Sequence, residues 1–212
     1  MKNSSKLDVP YYQQTHPATC GPAALMMVMK YWDKSLELSK EIEYSLWKQT
    51  RSFIFKGGTF QFGIAETAMK RGFKTKIYQK AKISSYKKNQ KKVFDFIEFF
   101  LSIKTRLSRI PVIYGQEIMD IINEALEKKI PPLVFINLEP ISGENVFHWV
   151  IVTGLDKENV FVNDPDIYQI PKKDFPVKLD IFKQAIATDQ FSNIIFPFSI
   201  FRFPPCVVLV YK

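Results

Sequence analysis

Gln14-Thr15-His16-Pro17-Ala18-Thr19-Cys20-Gly21-Pro22-Ala23-Ala24 is the stretch that decides how this chain is read. From Gly21 the pattern turns helical, with Ala23, Ala24, Met26, Met27 and Met29 preceding Tyr31 and Trp32. Pro22 suits the first turn, where its missing N–H costs nothing. Cys20 therefore stands directly before a helix that runs to about Trp32. Unpaired backbone N–H groups and the positive end of the helix dipole stabilise a thiolate there. The thiolate is the form that attacks a carbonyl. Gly21 removes a side chain beside it and leaves room for a substrate. The chain has only two cysteines, Cys20 and Cys206. Cys206 lies in the apolar run Pro204-Pro205-Cys206-Val207-Val208-Leu209-Val210 and reads as a buried hydrophobe. Two cysteines so far apart make no disulfide framework.

A base for Cys20 is sought among two histidines. His16 lies in the loop before Cys20, and His148 opens the apolar run Phe147-His148-Trp149-Val150-Ile151-Val152-Thr153-Gly154. A turn at Asp156–Glu158 and the run Asn159-Val160-Phe161-Val162-Asn163-Asp164 complete a β-hairpin pattern. Pairing about a turn near residue 157 sets His148 across from residue 165 or 166, within reach of Asp164. A carboxylate there would hold the imidazole tautomer and support the imidazolium. Asn163 is the other candidate orienter, but its side chain points to the opposite face from that of Asp164. Gln14 precedes Cys20 by a loop long enough to fold back over it. Its amide could donate to an oxyanion together with the backbone N–H of Cys20. Gln13 is the rival, and sequence does not separate the two.

Working outward, Asp8 to Gln14 reads as an extended arm. A second helix is expected over 36–49 from Leu38, Ile42 and Leu46. Gly57-Gly58 break the chain, and Thr59 is expected to cap a helix over 61–71 that ends at Gly72. Phe73 to Tyr78 alternates and reads as a strand. A helix spans 115–129, with Ile118, Ile121, Ile122, Ala125 and Leu126 on one face, and Pro131-Pro132 stop it. Leu133 to Asn137 is a buried strand, 138–146 a loop, 179–187 a helix and 206–211 the last strand. Residues 79–110 hold no Gly or Pro; lysine dominates 80–92, and an aromatic run follows. They read as an inserted basic lobe in a single domain covering 1–212.

These motifs in this order resemble the papain-like cysteine peptidases of the bacteriocin-leader-processing, or double-glycine, type. The likeness is collinear over roughly 10–75 and 115–165. It includes Gly57-Gly58-Thr59 before a helix ending Arg71-Gly72-Phe73, the run Pro132 to Ile136, and the intervals between Gln14 and Cys20 and between His148 and Asp164. The resemblance implies an α+β papain-like fold, in which a helical half carrying Cys20 packs on an antiparallel sheet carrying His148 and Asp164. By matched position it implies Cys20 as nucleophile, His148 as base, Asp164 as orienter and Gln14 as oxyanion donor, with no metal or organic cofactor. Members that cut leader peptides are usually fused to a membrane transporter. No membrane or nucleotide-binding segment is read here, so a stand-alone form is expected.

The net charge is +9 and the pI about 9.4. Such a field favours acidic partners, and an acidic partner at the basic lobe is one expectation. No nucleic-acid-binding motif accompanies it. The first residues form no signal peptide, and no uncharged apolar run approaches the ~18 residues of a membrane span. A cytoplasmic location is expected. The leading expectation is hydrolysis of a peptide or protein substrate through an acyl-enzyme. An acyl or peptidyl transferase on the same fold, or a peptide-binding module without turnover, are the alternatives.

Overall fold

The structure, a computed structural model, describes residues 6–51, 58–82, 103, 108–166, 172–187 and 204–212. Most of the expected basic lobe, 83–102 and 104–107, lies outside the described residues. Helix α1 (Cys20–Trp32) buries every residue from Gly21 to Met29. A helix apolar on all sides belongs inside a domain, and α1 lies against the sheet and two further helices. Helix α2 (Lys40–Thr50) begins later than its apolar spacing suggests. Ser39 sets the start, its Oγ accepting the Ile42 N–H at 3.3 Å.

Helix α3 (Gln61–Met69) stops short of the expected residue 71, and a turn carries the chain on to Gly72, whose φ of 83° suits glycine. Thr59 is not its cap; the capping position is Phe60, which offers no side-chain acceptor. Thr59 is used in tertiary contacts instead. Its backbone bridges Arg51, its Oγ1 lies 3.3 Å from that of Thr50, and its carbonyl accepts the indole N–H of Trp149 at 3.0 Å.

Among the described residues the sheet has seven strands: β1 (Lys74–Gln79), β2 (Val112–Tyr114), β3 (Leu133–Asn137), β4 (Phe147–Leu155), β5 (Asn159–Asp164), β6 (Lys172–Lys178) and β7 (Cys206–Tyr211). Their order is β2-β1-β7-β3-β4-β5-β6, and only the β1–β2 pair is parallel. The central strands β7, β3 and β4 are buried at nearly every position, so both faces of the sheet are covered. Helix α4 (Ile118–Glu127) buries the five apolar residues its periodicity selects, against β7, β4 and β1. A one-turn helix α5 (Glu139–Ser142) occupies the expected loop, and α6 (Leu179–Ile186) packs on β3, β5 and β6.

The arm before α1 is strapped to the sheet. The Leu7 N–H donates to the Thr153 carbonyl at 2.7 Å, and the Gln14 N–H to that of Pro165 at 2.8 Å. Val9 is wholly buried, and its carbonyl accepts Asn163 Nδ2 at 3.2 Å. These contacts fix the loop before Cys20 against the ends of β4 and β5.

Candidate active site

Cys20 is the first residue of α1, His148 the second of β4 and Asp164 the last of β5. The hairpin register pairs Ile151 with Asn163 and Val152 with Val162. Continued one step, it sets Val150 across from Asp164, with His148 one position further along the same face. His148 and Asp164 are then diagonal cross-strand neighbours, close enough for polar side chains to meet. His148 Nε2 lies 2.7 Å from Asp164 Oδ1. That contact leaves Nδ1 for the Cys20 sulfur, which hydrogen-bonds the imidazole and the backbone N–H groups of Gly21 and Trp149. The three side chains form one polar chain at the N-terminus of α1, with His148 and Asp164 buried and Cys20 half-buried.

Burial disfavours the charged form of each, and the mutual interactions outweigh it. Burial would raise the Cys20 thiol, yet His148 and the two N–H groups bring it below its ordinary value. Burial would lower His148, yet the Cys20 thiolate and Asp164 push it up to about 10. Burial would raise Asp164, yet it is held down to about 2 by His148, by Lys172 Nζ at 3.3 Å from Oδ2, and by the Asp166 N–H at 3.0 Å from Oδ1. The arrangement favours a thiolate–imidazolium pair backed by a carboxylate.

The other sequence-predicted positions fall as follows. Asn163 points away from the imidazole; its Nδ2 holds Val9 and its Oδ1 accepts the Asp174 N–H at 2.9 Å. Gln14 is buried, and its Nε2 donates to the carbonyls of His16 at 3.0 Å and Pro17 at 3.4 Å. Its Oε1 is buried without a partner. Gln13 Nε2 donates to the Asp166 carbonyl at 3.0 Å. Among the described hydrogen bonds, neither glutamine side chain meets Cys20. His16 is exposed; its Nδ1 accepts the Ala18 N–H at 3.3 Å, and its ring lies 6.2 Å from that of Trp47. Cys206 is buried in β7, where desolvation raises its thiol pKa. Gly21 offers less space than its missing side chain suggests: a Cβ there would meet Thr59 Cβ and Cγ2 at 2.6 Å.

Two contributions escaped sequence reasoning. Lys172 reaches Asp164 from β6, a strand whose composition gave no signal. The Trp149 N–H reaches the sulfur only because β4 passes beside the start of α1. Among the described residues, no group of three His, Cys, Asp or Glu side chains is placed to hold a metal ion.

Solved structures share this architecture across nearly the whole chain. A double glycine motif protease from an AMS/PCAT transporter, crystallised with a leader peptide, is 15% identical, covers 98% of this chain and 94% of its own, and has a TM-score of 0.51. The peptidase domain of Streptococcus ComA, a bi-functional ABC transporter involved in a quorum sensing pathway, is 17% identical, with 95% and 96% covered and a TM-score of 0.50. A protein from Bacillus anthracis described as C39-like peptidase is 12% identical, with 100% and 99% covered and a TM-score of 0.52. At these identities the likeness establishes the fold, which is the α+β papain-like one. No curated protein sequence matches the chain. The family model for the Peptidase_C39 like family matches residues 9–209, so the chain belongs to that family.

Proposed function

We infer that the protein is a cysteine peptidase in which Cys20 is the nucleophile, His148 the general base and acid, and Asp164 the orienting carboxylate. The observation that carries this reading is the polar chain from the half-buried Cys20 sulfur through the buried imidazole to Asp164, with Nε2 held at 2.7 Å. The thiolate attacks a peptide carbonyl carbon. The tetrahedral oxyanion collapses as His148 protonates the leaving amine. Water, deprotonated by the same imidazole, then releases the acid from the thioester.

The backbone N–H of Cys20 and the Gln14 amide are the proposed oxyanion donors. Gln14 Nε2 is engaged with the His16 and Pro17 carbonyls, so this role requires one N–H to be shared with or turned toward the substrate. A peptide is the proposed substrate class, supported by membership of a peptidase family and by the leader peptide bound to a protein of the same fold.

The test combines turnover with thiol reactivity. Hydrolysis of a peptide library is expected in wild type and absent in Cys20→Ala, with the variant still folded by circular dichroism. Iodoacetamide should alkylate Cys20 with an apparent pKa below the ~8.5 of a free thiol, and His148→Ala should abolish that shift. Turnover retained in Cys20→Ala, or slow alkylation indifferent to His148, overturns the assignment.

A further inference from the structure

Glu43 is a carboxylate on α2 with 1% of its surface exposed. Burying such a group is costly unless hydrogen bonds replace its water. Here all the replacement comes from one short stretch of chain. Glu43 Oε2 accepts the Tyr12 hydroxyl at 2.9 Å and the Thr15 hydroxyl at 2.7 Å. Glu43 Oε1 accepts the Thr15 N–H at 2.9 Å and is paired with the Thr19 hydroxyl. The stretch held in this way, residues 12–19, contains Gln14 and ends at the residue before Cys20.

The clamp continues past the carboxylate. Thr19 Oγ1 also lies 2.6 Å from the His16 carbonyl, so its one proton is shared between that oxygen and Glu43 Oε1, and the same carbonyl accepts the Thr19 N–H at 3.1 Å. That same carbonyl is the 3.0 Å acceptor of the Gln14 side-chain amide. Thr19 is in turn the residue whose carbonyl starts α1, accepting the Ala23 N–H at 2.9 Å. A continuous path therefore runs from Glu43 through Thr19 and His16 to Gln14, and through Thr19 to the backbone of Cys20. The contacts between Cys20 and His148 and between His148 and Asp164 join the start of α1 to β4 and β5 and do not pass through α2.

We propose that Glu43 is a positioning residue for acyl transfer: its carboxylate fixes the 12–19 loop so that the Gln14 amide and the Cys20 backbone N–H face the developing oxyanion. This rests on the proposed peptidase reading and deepens it. It separates two properties that a general packing role would keep together. Alkylation by iodoacetamide is a displacement at saturated carbon; the sulfur–carbon bond forms as iodide leaves, and no oxyanion develops. Acylation by p-nitrophenyl acetate passes through a tetrahedral oxyanion; the sulfur–carbonyl bond forms, and p-nitrophenolate leaves without needing a proton. A loosened loop impairs the second reaction and leaves the first alone.

The experiment measures both rates on the full chain, with the Cys20→Ala background subtracted. Glu43→Gln keeps the volume but turns an NH₂ group toward donors that need an acceptor. Thr19→Val removes the hydroxyl that links Glu43 to His16, and it decides the matter if Glu43→Gln fails to fold by circular dichroism. The expected result in either variant is acylation at least tenfold slower, with alkylation within twofold of wild type and an unchanged pH profile from 5 to 9. Both rates unchanged, or both falling in parallel, overturns the positioning role while leaving the peptidase reading intact. A wild-type Cys20 that neither alkylates rapidly nor acylates overturns the peptidase reading and this inference together.

Discussion

Asp164 Oδ1 sits 2.7 Å from His148 Nε2 while Lys172 approaches Oδ2, and these contacts give the carboxylate a measurable link to pH. Its folded pKa, about 2, is below its unfolded value of 3.8. A depressed acid contributes stability above its unfolded pKa, and loses it as pH falls through the folded one. Asp164→Asn should therefore be less stable than wild type at pH 7 by roughly 2 kcal/mol, at ~1.4 kcal/mol per pKa unit. Urea unfolding at pH 7, 4 and 2.5 checks this; the gap should narrow below pH 4, and a gap constant with pH refutes it. His148 acts in the opposite sense. Raised to about 10, it contributes stability below its unfolded pKa, and that contribution is lost as pH rises through 10. The identities of these groups could be read from the chain because His and Cys are scarce and the hairpin pattern brings residue 148 toward 164. Lys172 could not be read, since a lysine beside another lysine in a polar run looks like solvated surface until β6 is seen alongside β5.

Elements with strong internal signals emerged near their expected bounds. Helix α4 carries a full amphipathic stripe, and β3, β4, β5 and β7 are apolar runs bounded by turns. The two strands not anticipated, β2 and β6, are the edges of the sheet. Edge strands need little apolar surface and tolerate charge and proline. β6 has both, in Lys172-Lys173-Asp174-Phe175-Pro176-Val177-Lys178, and most of it is exposed or half-exposed. Thr59 failed as a cap because its Oγ1 faces Thr50 and its side chain fills the space over Gly21. That packing predicts the cost of Gly21→Ala. The new methyl would meet the β-branch of Thr59 at 2.6 Å, and overpacking of this kind costs about 1–3 kcal/mol. Thr59 would have to move together with the carbonyl that holds Trp149. A thermal-melt double-mutant cycle checks this. Gly21→Ala should be markedly less harmful in a Thr59→Gly background, and additive effects would contradict the contact.

The arm before α1 joins the two halves of the fold: Leu7, Val9 and Gln14 are bonded to the sheet side, and Tyr12 to Met27 and Glu43 of the helices. Deleting residues 1–9 removes the buried Val9 and Leu7 side chains and leaves Asn163 Nδ2 without its acceptor. A loss of several kcal/mol is expected, since fully burying each such side chain is worth ~1.5–3 kcal/mol. Thermal melting measures it, and an unchanged Tm would show that the arm is not part of the fold. Among the described residues, no helix is long and apolar enough to cross a membrane. Legible in the chain were the helix that presents Cys20, the hairpin that carries His148 and Asp164, and the α+β class. Those depend on local periodicity, turn residues and the distance a hairpin spans. Packing settled which groups surround that polar chain: Lys172 on Asp164, the Trp149 N–H on the sulfur, Thr59 over Gly21, and Glu43 under the loop that holds Gln14. Apart from the Lys172 contact, which spans eight residues across a strand pair, each of those contacts joins residues far apart in the chain, and side-chain chemistry alone does not say which distant surfaces packing will bring together.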